Sequence, residues 1–196
     1  MRVEAVNSLG VSGAAIEIPW TDANGDAYLD LRENPAGIGQ ISAAREFSPL
    51  AGFLTVVNGA GSLFSTARAK VWEESVSQVG AEFSFYSQVD LMFARPEFNF
   101  IPERYEDAVQ RLVALWMRDT SGDALSVRME ILPCEYRAEK KEGAALRLTL
   151  TSRSVSAEQA RVRWGLGIVR VQQALLFVSR AMRQKLGIDN EMEEKI

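Results

Sequence analysis

The residues best spaced for chemistry lie near the N-terminus, where Asp22, Asn24, Asp26, Tyr28, Asp30 and Glu33 occupy positions 1, 3, 5, 7, 9 and 12 of a calcium-loop pattern, with Leu29 at the apolar position 8. Calcium takes about six to eight oxygen ligands, and a tight turn can present them at these intervals. Three features weaken the match. Ala27 stands where glycine makes the sharp bend, Pro19 and Trp20 do not look like an entering helix, and Asn34-Pro35 stops an exiting one. Asn24-Gly25 between apolar alternations is instead a hairpin signal, and the hairpin is the preferred reading.

Val56-Val57-Asn58-Gly59-Ala60-Gly61-Ser62 has the composition of a strand, a glycine turn and a helix start, which can cradle a phosphate on backbone N–H groups. Phe64 stands where a dinucleotide fingerprint wants Gly or Ala, and no Lys-Ser/Thr pair follows. A structural turn with a cap at Ser62 fits better. Asp90, Glu97 and Glu103 with Arg95 form a carboxylate cluster beside an aromatic loop. Paired carboxylates do acid–base work when burial splits their pKa values, but a solvated loop is the plainer account. In that loop and just after it, Phe98, Phe100 and Tyr105 are either core residues or interface anchors. Cys134, beside Pro133, reads as a small core residue.

Composition prunes the chemistry further. The chain of 196 residues contains no histidine and one cysteine. That removes Ser-His-Asp and Cys-His nucleophile arrangements, imidazole zinc sites, thiolate zinc sites and iron–sulfur clusters. No internal disulfide can form, no apolar run is long enough to span a membrane and the N-terminus lacks the pattern of a secretory signal, so the expectation is a cytoplasmic protein without a cofactor. Net charge is −4 but uneven. Residues 156–186 carry +5, residues 187–196 carry −3, and the remainder carries −6. The basic stretch either packs on the acidic body, is covered by the tail residues Glu191, Glu193 and Glu194, or presents a surface to an acidic partner.

These residues must be positioned by a set of elements, of which residues 156–186 are the most strongly marked. Ser156 with Gln159 is a capping box, and Glu158 suits the positive end of a helix dipole. Trp164, Ile168, Val171, Leu175, Val178 and Met182 form one apolar stripe; Gly167, Ala174 and Ala181 form a row of small residues beside it. Arg180, Arg183 and Lys185 suit the C-terminal end, and Gly187 can terminate it. Val162, Trp164, Leu166 and Ile168 also alternate like a strand, but helix is preferred, with a kink near Gly165 and Gly167.

Upstream, Leu125, Val127, Met129 and Ile131 alternate with polar residues, as do Leu146, Leu148 and Leu150, giving an antiparallel hairpin with one apolar face. A helix from Glu103 turns Tyr105, Val109, Leu112 and Trp116 inward. Residues 81–94 read as a strand with an irregularity near Tyr86 and Gln88, residues 53–57 as a strand, and residues 62–78 as a helix with Phe64, Ala67, Val71 and Trp72 inward. Short strands are expected at 3–6, 14–18 and 27–31.

The expected fold is α+β: an antiparallel sheet covered by helices on one face, an N-terminal β-hairpin element (1–38), a main domain (39–187) with a long C-terminal helix, and an acidic tail (188–196). In element order it is similar to acidic, dimeric secretion chaperones, through architecture and not through any motif. The leading functional expectation is a non-enzymatic protein–protein interaction or assembly module, a complex subunit or chaperone/adaptor-like protein, that self-associates. Its contact candidates are Phe98, Phe100, Tyr105, Arg161, Arg163, Arg170, Arg180 and Arg183. One alternative is a small-ligand- or calcium-dependent enzyme or sensor using the loop from Asp22 to Glu33, or the turn from Gly59 to Ser62. Another is nucleic-acid binding through the basic helix, disfavoured by overall acidity.

Overall fold

A computed structural model describes residues 1–11, 15–21, 27–76, 82–117 and 124–188. Its elements, in order, are β1 (Arg2–Asn7), β2 (Ile16–Ile18), α1 (Ser42–Glu46), α2 (Ser48–Val57), β3 (Phe64–Val76), β4 (Glu82–Phe93), α3 (Pro102–Trp116), β5 (Leu125–Tyr136), β6 (Lys141–Ser154) and α4 (Ala157–Lys185). The strands form one sheet in the order β1-β5-β6-β4-β3, with β2 on the same side of β5 as β1. The fold is α+β with a long C-terminal helix, as the patterning implied.

The sheet is mixed and not purely antiparallel. β3, β4, β6 and β5 are antiparallel neighbours, whereas β1 and β2 both run parallel to β5, at Ser126–Ile131 and at Cys134–Tyr136. Of the hairpin expected across residues 14–31, the described residues form a single antiparallel bridge, Thr21 with Ala27, and β2 takes β5 as its partner. Edge backbone of a long strand seeks a hydrogen-bonding neighbour, and β5 offers a longer ladder than the short 27–31 segment.

The hairpin β5–β6 has the predicted polarity: Val127, Met129, Ile131, Leu146, Leu148 and Leu150 all lie on the helix side and are buried. α3 turns Tyr105, Val109, Leu112 and Trp116 into the same core. Two expectations fail together. Residues 53–57 are the end of helix α2 and not a strand: Pro49 sits in the first turn, and Leu50, Phe53, Leu54 and Val57 make its buried face. Residues 64–76 are strand β3 and not a helix, paired along their length with β4. A bulge between Thr66 and Arg68 adds a residue to β3, so its core-facing positions shift phase. The irregularity expected in β4 is absent: its ladder to β6 is continuous from Phe83 to Leu91.

α4 is continuous from Ala157 to Lys185, its glycines included. The Ser156 hydroxyl accepts the Gln159 N–H at 3.3 Å, and Gly187 takes φ of 69° past the C-terminus. Gly167 lets the helix lie close on the sheet, since a Cβ there would stand 3.0 Å from Leu125 Cδ2 and 3.2 Å from Leu150 Cδ2. Trp164 is buried against Phe85, and its indole N–H donates to the Ser87 hydroxyl at 2.9 Å. α4 thus covers β4 and β6, flanked by α2 and α3, and all the longer helices lie on one face of the sheet.

Candidate functional site

α4 has two apolar faces. The first, from Trp164 to Met182, is buried as the sequence pattern implied. The second points away from the sheet: Val162 is 62% exposed, Leu166 62%, Val169 40% and Phe177 60%, with Leu176 partly covered. Positions 162, 166, 169, 173 and 176 repeat at steps of 4, 3, 4 and 3, the same rhythm as the buried stripe two residues out of phase. The strand-like alternation of Val162, Trp164, Leu166 and Ile168 is the sum of these two stripes. Among the described residues, half of the large apolar side chains that are exposed lie on this helix. Scattered surface leucines need no account, but four exposed apolar side chains along one side of one helix, interrupted at Gln173, do.

The basic residues of α4 divide into two groups. Arg161 pairs with Glu73 at the end of β3, Arg163 donates to the Arg153 carbonyl, and Arg183 donates to the Ala60 carbonyl at 3.0 Å. Lys185 reaches Asp107 on α3 at 3.2 Å. Burial pushes the Asp107 carboxyl up, but its bonds from Lys185 and Arg111 outweigh that effect and leave it below its ordinary range. These residues tie the helix to the acidic body, one of the two internal arrangements anticipated. Arg170 and Arg180 are exposed, as is Glu158 in the first turn. Glu191, Glu193 and Glu194 lie outside the described residues.

The other sequence candidates fall apart in space. Asp22, Asn24 and Asp26 lie outside the described residues; Asp30 accepts the N–H groups of Arg32 at 2.9 Å and Glu33 at 3.1 Å, closing a local turn. The turn from Gly59 to Ser62 joins α2 to β3, so no helix begins there. The Ser62 hydroxyl instead accepts the Phe64 N–H at 3.0 Å, and Asn58 bonds both the N–H and the hydroxyl of Thr66. Asp90 is 1% exposed and held by Arg147 through bonds of 2.7 and 3.0 Å, on the sheet face opposite the helices. Arg95 meets Glu97 at 3.9 Å, and Glu103 sits in the first turn of α3. No group of three or more metal-ligating side chains occurs among the described residues.

Within the single chain, Phe98 and Tyr105 pack into the core and Phe100 is half-buried. Phe98 is 8% exposed and Tyr105 fully buried. The reason is Asn99, whose side chain bonds the backbone N–H and C=O of Phe93 and accepts the Tyr105 hydroxyl at 2.6 Å, drawing the loop onto the end of β4. Phe100 packs edge-on against Tyr136 with Lys141 over its ring. Burial raises the Cys134 thiol to about 12, so it is an inert core residue.

The sheet face away from the helices carries a polar lattice. Arg128 bonds Glu4 at 3.0 Å, and Trp72 stacks on Tyr86 with ring centroids 5.1 Å apart. One end of this face is covered by the segment carrying β2, which packs Ile16 and Ile18 around Cys134, Tyr136 and Ala145. Trp20 lies there too, donating to the Ala67 carbonyl at 2.6 Å, with the Arg68 guanidinium 4.7 Å from its ring centre. No periodic signal in the sequence marks Trp20 and Arg68 as neighbours, because the contact is made across the sheet edge.

Fold and surface together define an α+β protein with a two-faced terminal helix. Comparison with family models, with curated proteins and with solved structures finds no match to this chain. Among the described residues, no helix is long and apolar enough to cross a membrane.

Proposed function

We propose that the protein is a non-enzymatic assembly module that pairs with a second copy of itself through the outer face of α4. The observation that carries this reading is the second apolar stripe. Val162, Leu166, Val169 and Phe177 stay in water in the single chain, although the same helix buries its other side completely. A stripe of heptad-like spacing is satisfied by a facing helix.

The charges favour a particular orientation. A parallel pair would set Arg180 against its own copy, whereas Arg170, next to the centre, meets its copy in either orientation. An antiparallel pair centred near Val169 brings Val162 of one chain towards Leu176 of the other, and Glu158 towards Arg180. Opposite charges beside an apolar seam fix register and direction more than they add affinity.

Sedimentation equilibrium on the full chain tests the proposal. The native protein is expected to form a dimer that Leu166→Asp dissociates. Glu158→Arg and Arg180→Glu should each weaken it, and the two together should restore it. A monomer at all practical concentrations, or two charge reversals that add without rescue, overturns the reading.

A further inference from the structure

A different region carries a second, independent inference. Arg68 stands at the junction of two cavities, of about 300 Å³ and about 220 Å³, and with Trp20 and Ala67 lines both. Among the described residues no oxygen bonds its guanidinium, and its Nε is buried without a partner. The carboxylate opposite it in the β3–β4 register, Asp90, is already occupied on both oxygens by Arg147. Buried or half-buried guanidinium groups are ordinarily hydrogen-bonded, so this one, held over the Trp20 ring and beside Asp90 in the smaller cavity, is left without a hydrogen-bonding partner among the described residues.

The surroundings match a ligand site more than a packing fault. The larger cavity is lined by Leu29, Leu31, Ile41 and Leu54, with Gln40 and Thr66 as polar groups. Its size is at the low end for small-molecule pockets, which are apolar with a few convergent polar groups. Trp20 cannot swing freely, because its indole N–H is fixed to the Ala67 carbonyl. Its ring therefore holds the Arg68 plane in place, and the Nη edge can face a planar anion through two parallel hydrogen bonds.

We propose that this crevice binds a small organic anion, a carboxylate on a compact apolar body, with Arg68 taking the carboxylate and the Leu29–Leu54 side taking the apolar part. The site does not involve the outer face of α4, so it stands or falls separately from self-association.

The test is an NMR titration of the Trp20 indole N–H signal, assigned with Trp20→Phe, using hexanoate and benzoate as probes and hexanamide and inorganic phosphate as controls. The anions should shift the signal saturably, and Arg68→Gln should weaken them about tenfold or more, with Arg68→Lys intermediate. A thermal melt confirms that each variant is folded. The absence of a saturable shift with either carboxylate overturns the proposal. Equal binding of hexanamide overturns the role of the charge, equal binding of phosphate overturns the role of the apolar wall, and undiminished binding by folded Arg68→Gln overturns the assignment to Arg68.

Discussion

Leu166 and Ile168 are two residues apart on one helix, and replacing each with alanine should have opposite consequences. Ile168 is 2% exposed and packs with Phe53, Val127, Leu148, Leu150 and Val171 around a small void, so Ile168→Ala removes core volume. Such truncations cost about 2–5 kcal/mol of folding stability. Leu166 is 62% exposed, so more than half of its transfer free energy is still ungained in the single chain. Full burial of a leucine is worth about 1.5–3 kcal/mol, leaving about 1–2 kcal/mol for each copy to gain on pairing. Two copies lose about 2–4 kcal/mol when both are truncated, which weakens the dimer roughly 30- to 1,000-fold.

The stability of the separated chain should barely move with Leu166→Ala, since exposed substitutions to a good helix former fall within about 0.5 kcal/mol. Sedimentation equilibrium measures the dissociation constant. Urea unfolding at protein concentrations below it measures the chain alone, because mass action would otherwise add the dimer's contribution to both. If Leu166→Ala leaves association unchanged, or destabilises the isolated chain as much as Ile168→Ala does, the assignment of the outer stripe to an interface is wrong.

The two helical glycines should respond differently to a methyl group. At Gly165 a Cβ meets Pro49 Cγ at 3.3 Å and little else, so the helix-propensity gain of about 1 kcal/mol should make Gly165→Ala neutral or stabilising in urea melts. At Gly167 three methyls lie within 3.3 Å, and overpacking of about 1–3 kcal/mol should outweigh that gain; a Gly167→Ala protein as stable as Gly165→Ala would contradict the packing. Cys134 gives a pH test. Its thiol is raised from about 9 to about 12 by burial, so the native state favours the protonated form. That contribution is complete below the unfolded value and should be lost as pH rises from about 9 towards 12. Cys134→Ala should remove that part of the alkaline slope, and rapid labelling of native Cys134 by a disulfide reagent near neutral pH would refute its burial.

Much of the architecture was legible wherever a local period and its end signals agreed. The hairpin β5–β6 and the inward face of α3 followed from alternation and from helical spacing, because each buries one face against whatever lies above it. β3 was illegible for the opposite reason. Its bulge breaks the period of two, and the helix-like spacing of Phe64, Ala67 and Val71 marks no single face, because Ala67 packs with Ile18 and Cys134 on the side away from Phe64 and Val71. α2 was misread because a short apolar run from Phe53 to Val57 suits either structure, and only its packing beside α4 settles it. Tyr105 and Phe98 fit either a core or a contact surface by sequence, and the Asn99 side chain draws them inward.

The sequence alone determined α4: the Ser156 cap, the buried stripe and Gly187 are local features whose energies depend on neighbours within a few turns. It also contained the second stripe, written in the alternation of Val162 and Leu166 with Trp164 and Ile168. The tertiary structure decided how closely the first stripe approaches the sheet, with Gly167 admitting Leu125 and Leu150 to close contact, and it left the second exposed in the single chain. The pairing of Asp90 with Arg147, and the isolation of Arg68 beside Trp20, were likewise decided only by strand register. Such contacts join residues far apart in the chain, and no local periodicity encodes which distant partner each will meet.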